Sequence, residues 1–159
     1  MTKKKKIFYV LVMIIVVLQF IRPTKNLSET ISVNDIRNHY TVPADVENIL
    51  KTSCFDCHSN NTVYPWYTNI QPVGLWMQNH VNDAKEELNF SEFASYSPKR
   101  MNRKYKEIIK QVKEDEMPLF SYTLIHGYAE LNQQQKDILL AWVQKQKTEL
   151  NYKEEEKKD

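Results

Sequence analysis

The chain has 159 residues, 42% of them hydrophobic and 26% charged, which is an ordinary composition for one globular domain with a buried core. Its net charge of +2 is too small to argue for nucleic-acid binding. The two glycines, Gly74 and Gly127, are too few for a glycine-rich phosphate loop or a dinucleotide-binding fingerprint, so both kinds of site are excluded.

The first segment, 1–23, is predicted to be a membrane helix. Lysines at 3–6 precede an uncharged run, 7–21, which would form about 22 Å of helix. A bilayer core is about 30 Å thick, so Lys6 and Arg22 would have to reach the two interfaces. The run ends in bulky residues instead of a small-residue cleavage site, which favours an uncleaved single-pass anchor over a cleaved signal peptide. Because the lysines come first, the N-terminus is expected in the cytoplasm and the rest in the periplasm, at the inner membrane.

The remainder of the chain divides into a polar tether, 24–40, a domain, 41–148, and a charged tail, 149–159. The domain is predicted to contain four helices, whose starts are marked by Pro43, Pro72, Ser97-Pro98 and a capping-box pattern at Asn132 and Gln135. The positions expected to be buried are Val46, Ile49 and Leu50; Trp76, His80, Ala84 and Leu88; Met101, Tyr105, Ile108 and Val112; and Ile138, Leu139, Trp142 and Val143. No stretch alternates with period two, so the fold class is predicted to be all-α.

Both cysteines of the chain, Cys54 and Cys57, fall in the stretch CFDCH, and His58 follows directly. Cys-x-x-Cys-His is the attachment pattern of c-type haem. Each thiol adds to one vinyl group of the porphyrin, and the spacing of one helical turn lets both sulfurs reach the vinyl edges. His58 then faces the iron as its proximal ligand. The pattern therefore predicts one covalent haem c.

Three other interpretations of these residues are open at this point. A thiol–disulfide centre would also explain Cys-x-x-Cys outside the cytoplasm, although no βαβ scaffold is visible. A structural zinc site needs four ligands, and this stretch offers three. The last alternative is a structural disulfide beside an unrelated histidine. Haem attachment is favoured because it gives a reason for every fixed position.

The second axial ligand of the iron is predicted to be Met117. It lies in a loop before the last helix, where a cytochrome c carries its distal thioether, and the proline after it ends any helix. His126, on the same loop, is the alternative ligand, and His80 is a candidate ligand or propionate partner. Met77 and Met101 lie on or beside apolar helical stripes and are expected to pack in the core.

Aromatic residues are expected to surround the porphyrin ring and to lower the dielectric around it. The side chains expected to do so are Trp66, Tyr67, Trp76 and Trp142. The loop that follows the haem-attachment motif contains Pro65 and Pro72, and we expect it to supply the carbonyl group that orients His58.

Several stretches of the chain resemble those of a known family, the small exported haem-binding domain proteins, which are cytochrome c-like. These stretches are QFIRP, CFDCHSNNTVYPWY with IQP, LNFSEF, EMPLFSY, LIH and LNQQQKDILLAW, together with the helix of His80. The resemblance covers roughly 35–145 and implies a cytochrome c-like helical domain around a single covalent haem. It also implies Cys54 and Cys57 as attachment residues, His58 as the proximal ligand and Met117 as the distal ligand.

These residues predict a membrane-anchored mono-haem cytochrome that transfers single electrons. Histidine and methionine ligands leave no open position on the iron, and the soft sulfur favours the ferrous state. A redox partner protein in the cell envelope is expected, and the cationic helix at 98–113 would steer its approach. The alternative function is a haem-based gas sensor or a peroxidase-like enzyme with a labile distal site.

Overall fold

The computed structural model describes residues 2–153. Within this range the chain forms eight α-helices and no strand, which confirms the predicted all-α class. The helices are α1 (Lys3–Leu18), α2 (Ile36–His39), α3 (Ala44–Ser53), α4 (Phe55–His58), α5 (Val73–Glu87), α6 (Pro98–Lys113), α7 (Phe120–Thr123) and α8 (Gln133–Glu149). Short 3₁₀ turns lie at Trp66–Asn69, Phe90–Ser95 and Gly127–Ala129. The predicted charged tail, 149–159, starts at the last residue of α8, and its residues 154–159 lie outside the described residues.

The long helices of the domain begin where local sequence signals predict. Ser97 accepts a hydrogen bond from the backbone N–H of Arg100, and Pro98 occupies the first turn of α6. Asn132 and Gln135 form the predicted capping box of α8. Helices α3 and α5 start directly after prolines. Each of these signals involves residues close together in the chain, so it can be recognised before the fold is known.

The hydrophobic core is built around α3, α6 and α8. Helix α6 packs against α8, and α3 packs against both α8 and α4. Most residues of the predicted apolar stripes of these helices are buried, and Leu50, Tyr105 and Leu139 are each 1% exposed. Ile108 and Ile138 are partly buried against the same core. Phe93, from the 3₁₀ turn after α5, is fully buried and lies 5.2 Å from the Tyr105 ring, centroid to centroid. Each such side chain contributes roughly 1.5–3 kcal/mol on burial, so this cluster holds the helices around the site described below.

The predicted buried face of α5 is wrong. Trp76 is 48% exposed and His80 is partly exposed, whereas Gln78 and Val81 are buried. Gln78 can be buried because its amide group is satisfied, accepting from a tyrosine hydroxyl at 2.7 Å and donating to an asparagine at 2.9 Å. A search for hydrophobic periodicity counts only apolar residues, so it does not identify a buried glutamine whose amide group is hydrogen-bonded.

The predicted tether, 24–40, packs against the domain along part of its length. Ile36 is fully buried in the core. The side chain of Asn26 donates to the carbonyl oxygen of Ser59 at 2.8 Å and accepts from Lys85. Polar composition suggested a solvated connection, but Asn26 makes its side-chain hydrogen bonds to the domain.

Helix α1 forms at the predicted place but buries none of its side chains. Its residues 7–17 are between 41% and 63% exposed. Gln19 joins its end to the domain, donating to the carbonyl of Gln71 and accepting from the N–H of Gln71, both at 3.0 Å. The predicted membrane-spanning helix is not supported, because no helix within residues 2–153 is both long enough and apolar enough to cross a membrane. The 16 residues of α1 correspond to about 24 Å, which is shorter than a bilayer core of about 30 Å.

Candidate functional site

The CFDCH stretch contains one turn of helix, α4, which is separated from α3 by a non-helical residue. Helix α3 ends before Cys54, whose φ of −127° interrupts the helix, and α4 begins at Phe55. The backbone N–H groups of Cys57 and His58 both donate to the carbonyl oxygen of Cys54, at 3.2 and 2.9 Å. Cys54 and His58 line a cavity called the larger cavity below, and Cys57 lines another, called the smaller cavity.

The two thiols are free and are not poised for exchange chemistry. Burial raises the pKa of Cys54 to about 12 and that of Cys57 to about 11, and neighbouring acidic groups add to both shifts. A thiol–disulfide centre requires a lowered pKa, because the thiolate is the reactive form. In the described part of the chain, no three His, Cys, Asp or Glu side chains are grouped so as to hold a metal ion. The raised pKa values count against the dithiol interpretation.

His58 is oriented by the C-terminal end of α5. Its Nδ1 donates to the carbonyl oxygens of Ala84 and Leu88, at 3.0 and 2.9 Å. Carbonyl groups only accept, so Nδ1 carries the proton and Nε2 keeps an electron pair that can bind a metal. Burial lowers the pKa of His58, which favours the neutral ring. The expectation that the loop containing Pro65 and Pro72 supplies the orienting carbonyl is therefore wrong.

The larger cavity has a volume of about 470 Å³, inside the range of about 300–1,000 Å³ that is usual for ligand and cofactor sites. Its walls come from α3, α6, α8 and the turn after α5, and they are mostly apolar, with Phe90 and Trp142 among them. The predicted site residues that line this cavity are Cys54, His58 and Met117. The cavity thus combines a thiol, an imidazole and a thioether around an apolar space.

Lys104 also lines the larger cavity, and it was missed from the sequence. It is 2% exposed, and its Nζ donates to the carboxylates of Glu87 at 2.9 Å and Glu107 at 2.6 Å. The sequence suggested a place on the cationic, solvated face of α6. A signal was available, because Lys104 lies three residues after Met101 and four before Ile108, both on the predicted buried stripe.

Met117 is the one methionine, of the three considered, that lines the larger cavity. Its backbone N–H donates to the carbonyl of Gln111 at 3.2 Å, which ties the loop to the last turn of α6. Met101 is 8% exposed in the core, where its sulfur accepts from the hydroxyl of Tyr40 at 3.4 Å. Met77 lines the smaller cavity. The fold thus separates Met117 from the other two methionines.

His126 lies outside the larger cavity, with both ring nitrogens in contact with hydroxyl groups. It is 9% exposed, with Nε2 2.6 Å from the hydroxyl of Tyr67 and Nδ1 2.9 Å from the hydroxyl of Tyr128. His126 and Tyr67 line the smaller cavity, of about 50 Å³, together with Cys57. To bind iron, His126 would have to give up one of these hydrogen bonds.

The other aromatic and histidine candidates are divided between the two cavities. Of the tryptophans expected to surround a porphyrin, Trp142 alone lines the larger cavity. Trp66 is 75% exposed, so its predicted role in burying the ring is not supported. His80 and Trp76 line the smaller cavity and pack against each other with ring centroids 4.2 Å apart.

A family model described as a haem-binding domain matches residues 13–145. This range contains the CFDCH turn, every side chain that lines the larger cavity, and the loop of Met117. It begins inside α1, further toward the N-terminus than the resemblance seen from the sequence. No curated protein and no solved structure gives a significant match to the chain.

Proposed function

The chain belongs to the haem-binding domain family, and on this premise we propose that it is a mono-haem c-type cytochrome that transfers single electrons. Cys54 and Cys57 would attach one haem c, His58 would be the proximal iron ligand, and Met117 would be the distal one. The observation that carries the proposal is that Cys54, His58 and Met117 line the same apolar cavity.

The donor set fits a covalently attached haem. Within residues 2–153, the Nε2 of His58 makes no hydrogen bond, while Nδ1 is held by two carbonyl groups. Cys57 lines the adjacent cavity but lies on the same helical turn as Cys54. Attachment at both cysteines would require the side chain of Cys57 to turn toward the larger cavity. When bound, the haem supplies an iron that alternates between the ferric and ferrous states.

The residues of the chain set the conditions for this electron transfer. The two carbonyl bonds fix the tautomer and the orientation of His58, and they raise its basicity as a ligand. The apolar walls, including Phe90 and Trp142, keep water away from the site. The charge of the buried Lys104, partly compensated by Glu87 and Glu107, lies at the cavity wall and acts on any charge that develops inside.

The proposed location of this electron carrier is the inner membrane. The lysines at 3–6 precede α1, and such an arrangement favours an N-terminus in the cytoplasm with the domain in the periplasm. Covalent attachment of haem takes place outside the bacterial cytoplasm, in agreement with that orientation. The apolar and exposed residues 7–17 of α1 support membrane association of the segment 1–23.

A redox partner protein in the cell envelope would dock near α6. This helix contains one acidic residue, Glu107, and many basic ones: Lys99, Arg100, Arg103, Lys104, Lys106, Lys110 and Lys113. Lys110 also lines the larger cavity, so the cationic surface borders the proposed haem site. An acidic partner surface would be attracted to this helix.

Absorption spectra of the covalently loaded protein test the proposed function. We expect low-spin haem in both redox states, a weak far-red sulfur-to-iron band when oxidised, and no reaction of the ferrous form with carbon monoxide. Met117→Ala should abolish the band and allow carbon monoxide to bind. Met77→Ala removes a methionine outside the larger cavity and should leave the spectrum unchanged.

Two results would contradict this proposal in different ways. A wild-type protein with high-spin ferric haem that binds carbon monoxide once reduced would favour the alternative, a gas sensor or a peroxidase-like enzyme. A protein that acquires no covalent haem in a cell able to mature c-type cytochromes would refute haem attachment itself.

A further inference from the structure

The segment 117–128, here called the distal loop, contains Met117 and is only weakly held by apolar burial. Its hydrophobic side chains are largely in solvent: Leu119 is 37% exposed, Phe120 78%, Leu124 71%, Ile125 62% and Tyr128 67%. A loop with so little buried apolar surface opens easily unless other contacts hold it. The contacts that keep Met117 at the cavity must therefore be sought among its polar groups.

Two side-chain hydrogen bonds join the distal loop to the rest of the domain. The hydroxyl of Tyr122 donates to Oδ2 of Asp56 at 2.7 Å. His126 contacts the hydroxyl of Tyr67 at 2.6 Å through Nε2. The rings of Tyr122 and His126 stack with centroids 4.4 Å apart, so the two contacts form one unit.

Asp56 occupies a special place, because it lies between the two cysteines of CFDCH. Its Oδ1 accepts from the backbone N–H of Val63 at 3.2 Å, and its backbone carbonyl accepts from the hydroxyl of Thr62 at 2.7 Å. These bonds hold the Asp56 carboxylate on the turn that carries His58. The bond from Tyr122 thus connects the turn that offers the proximal ligand to the loop that offers the distal one.

We propose that Asp56 and Tyr122 are positioning residues that control how firmly Met117 occupies the distal position of the iron. This inference rests on the proposed function, in which Met117 is the distal ligand. A thioether is a weak neutral ligand, so the fraction of time that it is bound depends on the stability of its loop. The Asp56–Tyr122 bond involves a carboxylate and is of the stronger, charge-assisted kind.

The test compares ligand exchange in the covalently loaded full-length protein and in its Tyr122→Phe variant. Added imidazole competes with Met117 for ferric iron, so it reports how readily the distal loop opens. Tyr122→Phe should bind imidazole about tenfold more tightly, the factor expected for loss of one charge-assisted hydrogen bond. The far-red band should weaken in the same variant, and the reduction potential should fall because less sulfur is bound.

A second variant and a matched control separate positioning from a general structural effect. Asp56→Asn keeps the size of the side chain and weakens the acceptor, so it should shift imidazole binding in the same direction by a smaller factor. Tyr64→Phe removes a hydroxyl that donates to Gln78 and accepts from the backbone N–H of Asn26, both at 2.7 Å, and neither bond involves the distal loop. It should lower the stability of the protein without changing imidazole affinity or the far-red band.

The possible outcomes distinguish this inference from the proposed function. If the wild type shows the far-red band and both Tyr122→Phe and Asp56→Asn bind imidazole as the wild type does, the positioning role is wrong while Met117 ligation stands. If Tyr64→Phe changes imidazole binding as much as Tyr122→Phe, the effect is one of general stability and the positioning role is also wrong. If the wild type itself lacks the band, Met117 is not the ligand, and both proposals are overturned.

Discussion

His58 shows how a single side chain can be prepared for its role by residues far away in the chain. The carbonyl groups that accept from its Nδ1 belong to Ala84 and Leu88, 26 and 30 positions later. They fix the ring before any ligand binds to Nε2, so little side-chain entropy remains to be lost on binding. The proximal side of the proposed haem site is therefore preorganised by the end of α5.

Asp35 allows a prediction of how stability depends on pH. It is 2% exposed, and its carboxylate accepts two side-chain hydrogen bonds from Arg37, both at 2.8 Å. Burial alone would raise the pKa of Asp35, but the hydrogen bonds and charge of Arg37 outweigh it and hold the pKa below the ordinary value of 3.8. The unfolded chain then takes up the proton first as the pH falls. The stabilisation is present above pH 3.8 and is lost as the pH falls through the lowered value of the folded state.

Urea unfolding of the wild type and of Asp35→Asn at several pH values checks this prediction. The difference between their free energies of unfolding should be constant from about pH 5 upward and should shrink below pH 3.8. Arg37→Gln should lose less stability than the wild type as the pH falls below 3.8, because it removes the side-chain hydrogen bonds and the charge that lower the pKa of Asp35. A difference between wild type and Asp35→Asn that does not vary with pH would contradict the prediction.

Among the helices, α5 orients a site residue with its C-terminal end and is held in place by packing at its N-terminal end. Its last carbonyl groups orient His58, and its first turn packs closely on the 3₁₀ turn at Trp66–Asn69. Gly74 makes that packing possible, because a Cβ at this position would lie 2.1 Å from the carbonyl oxygen of Thr68. The helix can keep its position only while residue 74 has no side chain.

Gly74→Ala is expected to destabilise the protein by about 1–3 kcal/mol, the usual cost of forcing extra atoms into a packed site. This cost exceeds the gain of about 1 kcal/mol or less that alanine brings to a helix. Gly127→Ala is the matched control, since a Cβ there meets no atom within 4 Å. Its effect should stay within about 0.5 kcal/mol. Denaturant unfolding of both variants measures the two values, and equal effects would show that the packing of α5 tolerates a methyl group.

At the scale of the whole molecule, α1 and the domain are almost independent in their packing. Helix α1 contributes no buried side chain, whereas residues just after it are tied to the domain. Asn26 donates to Ser59 and to Thr62, and it accepts from Lys85. The structural unit therefore extends back through the predicted tether to Gln19, which is hydrogen-bonded to Gln71.

Deletion of residues 2–18 should change the free energy of unfolding of the domain by less than about 1 kcal/mol, because no buried contact is lost. Asn26→Ala, which removes two hydrogen bonds and leaves Lys85 without this acceptor, should cost more, about 1–3 kcal/mol. Thermal or denaturant unfolding distinguishes the two cases, and a larger loss for the deletion than for Asn26→Ala would contradict this division of the molecule.

The helices of the domain could be predicted well, and the reasons lie in particular residues. Ser97 with Pro98 and Asn132 with Gln135 are local capping signals, and the stripes of α3 and α6 follow the period of the helix. The stripe of α5 failed because the buried face of this helix includes a hydrogen-bonded glutamine, Gln78, which a pattern of apolar residues does not detect. In the same way, the polar composition of 24–40 concealed its contacts with the domain.

The all-α class, the helix starts and the CFDCH turn could be read from the chain alone, because each depends on residues within a few positions of one another. The chain alone also indicated the haem-binding domain family. The folded structure was needed to show which carbonyl groups hold His58, that Lys104 lines the cavity with Met117, and that His126 lies elsewhere. These arrangements join residues tens of positions apart. Such pairs are chosen by how the helices pack, which no local pattern in the chain records.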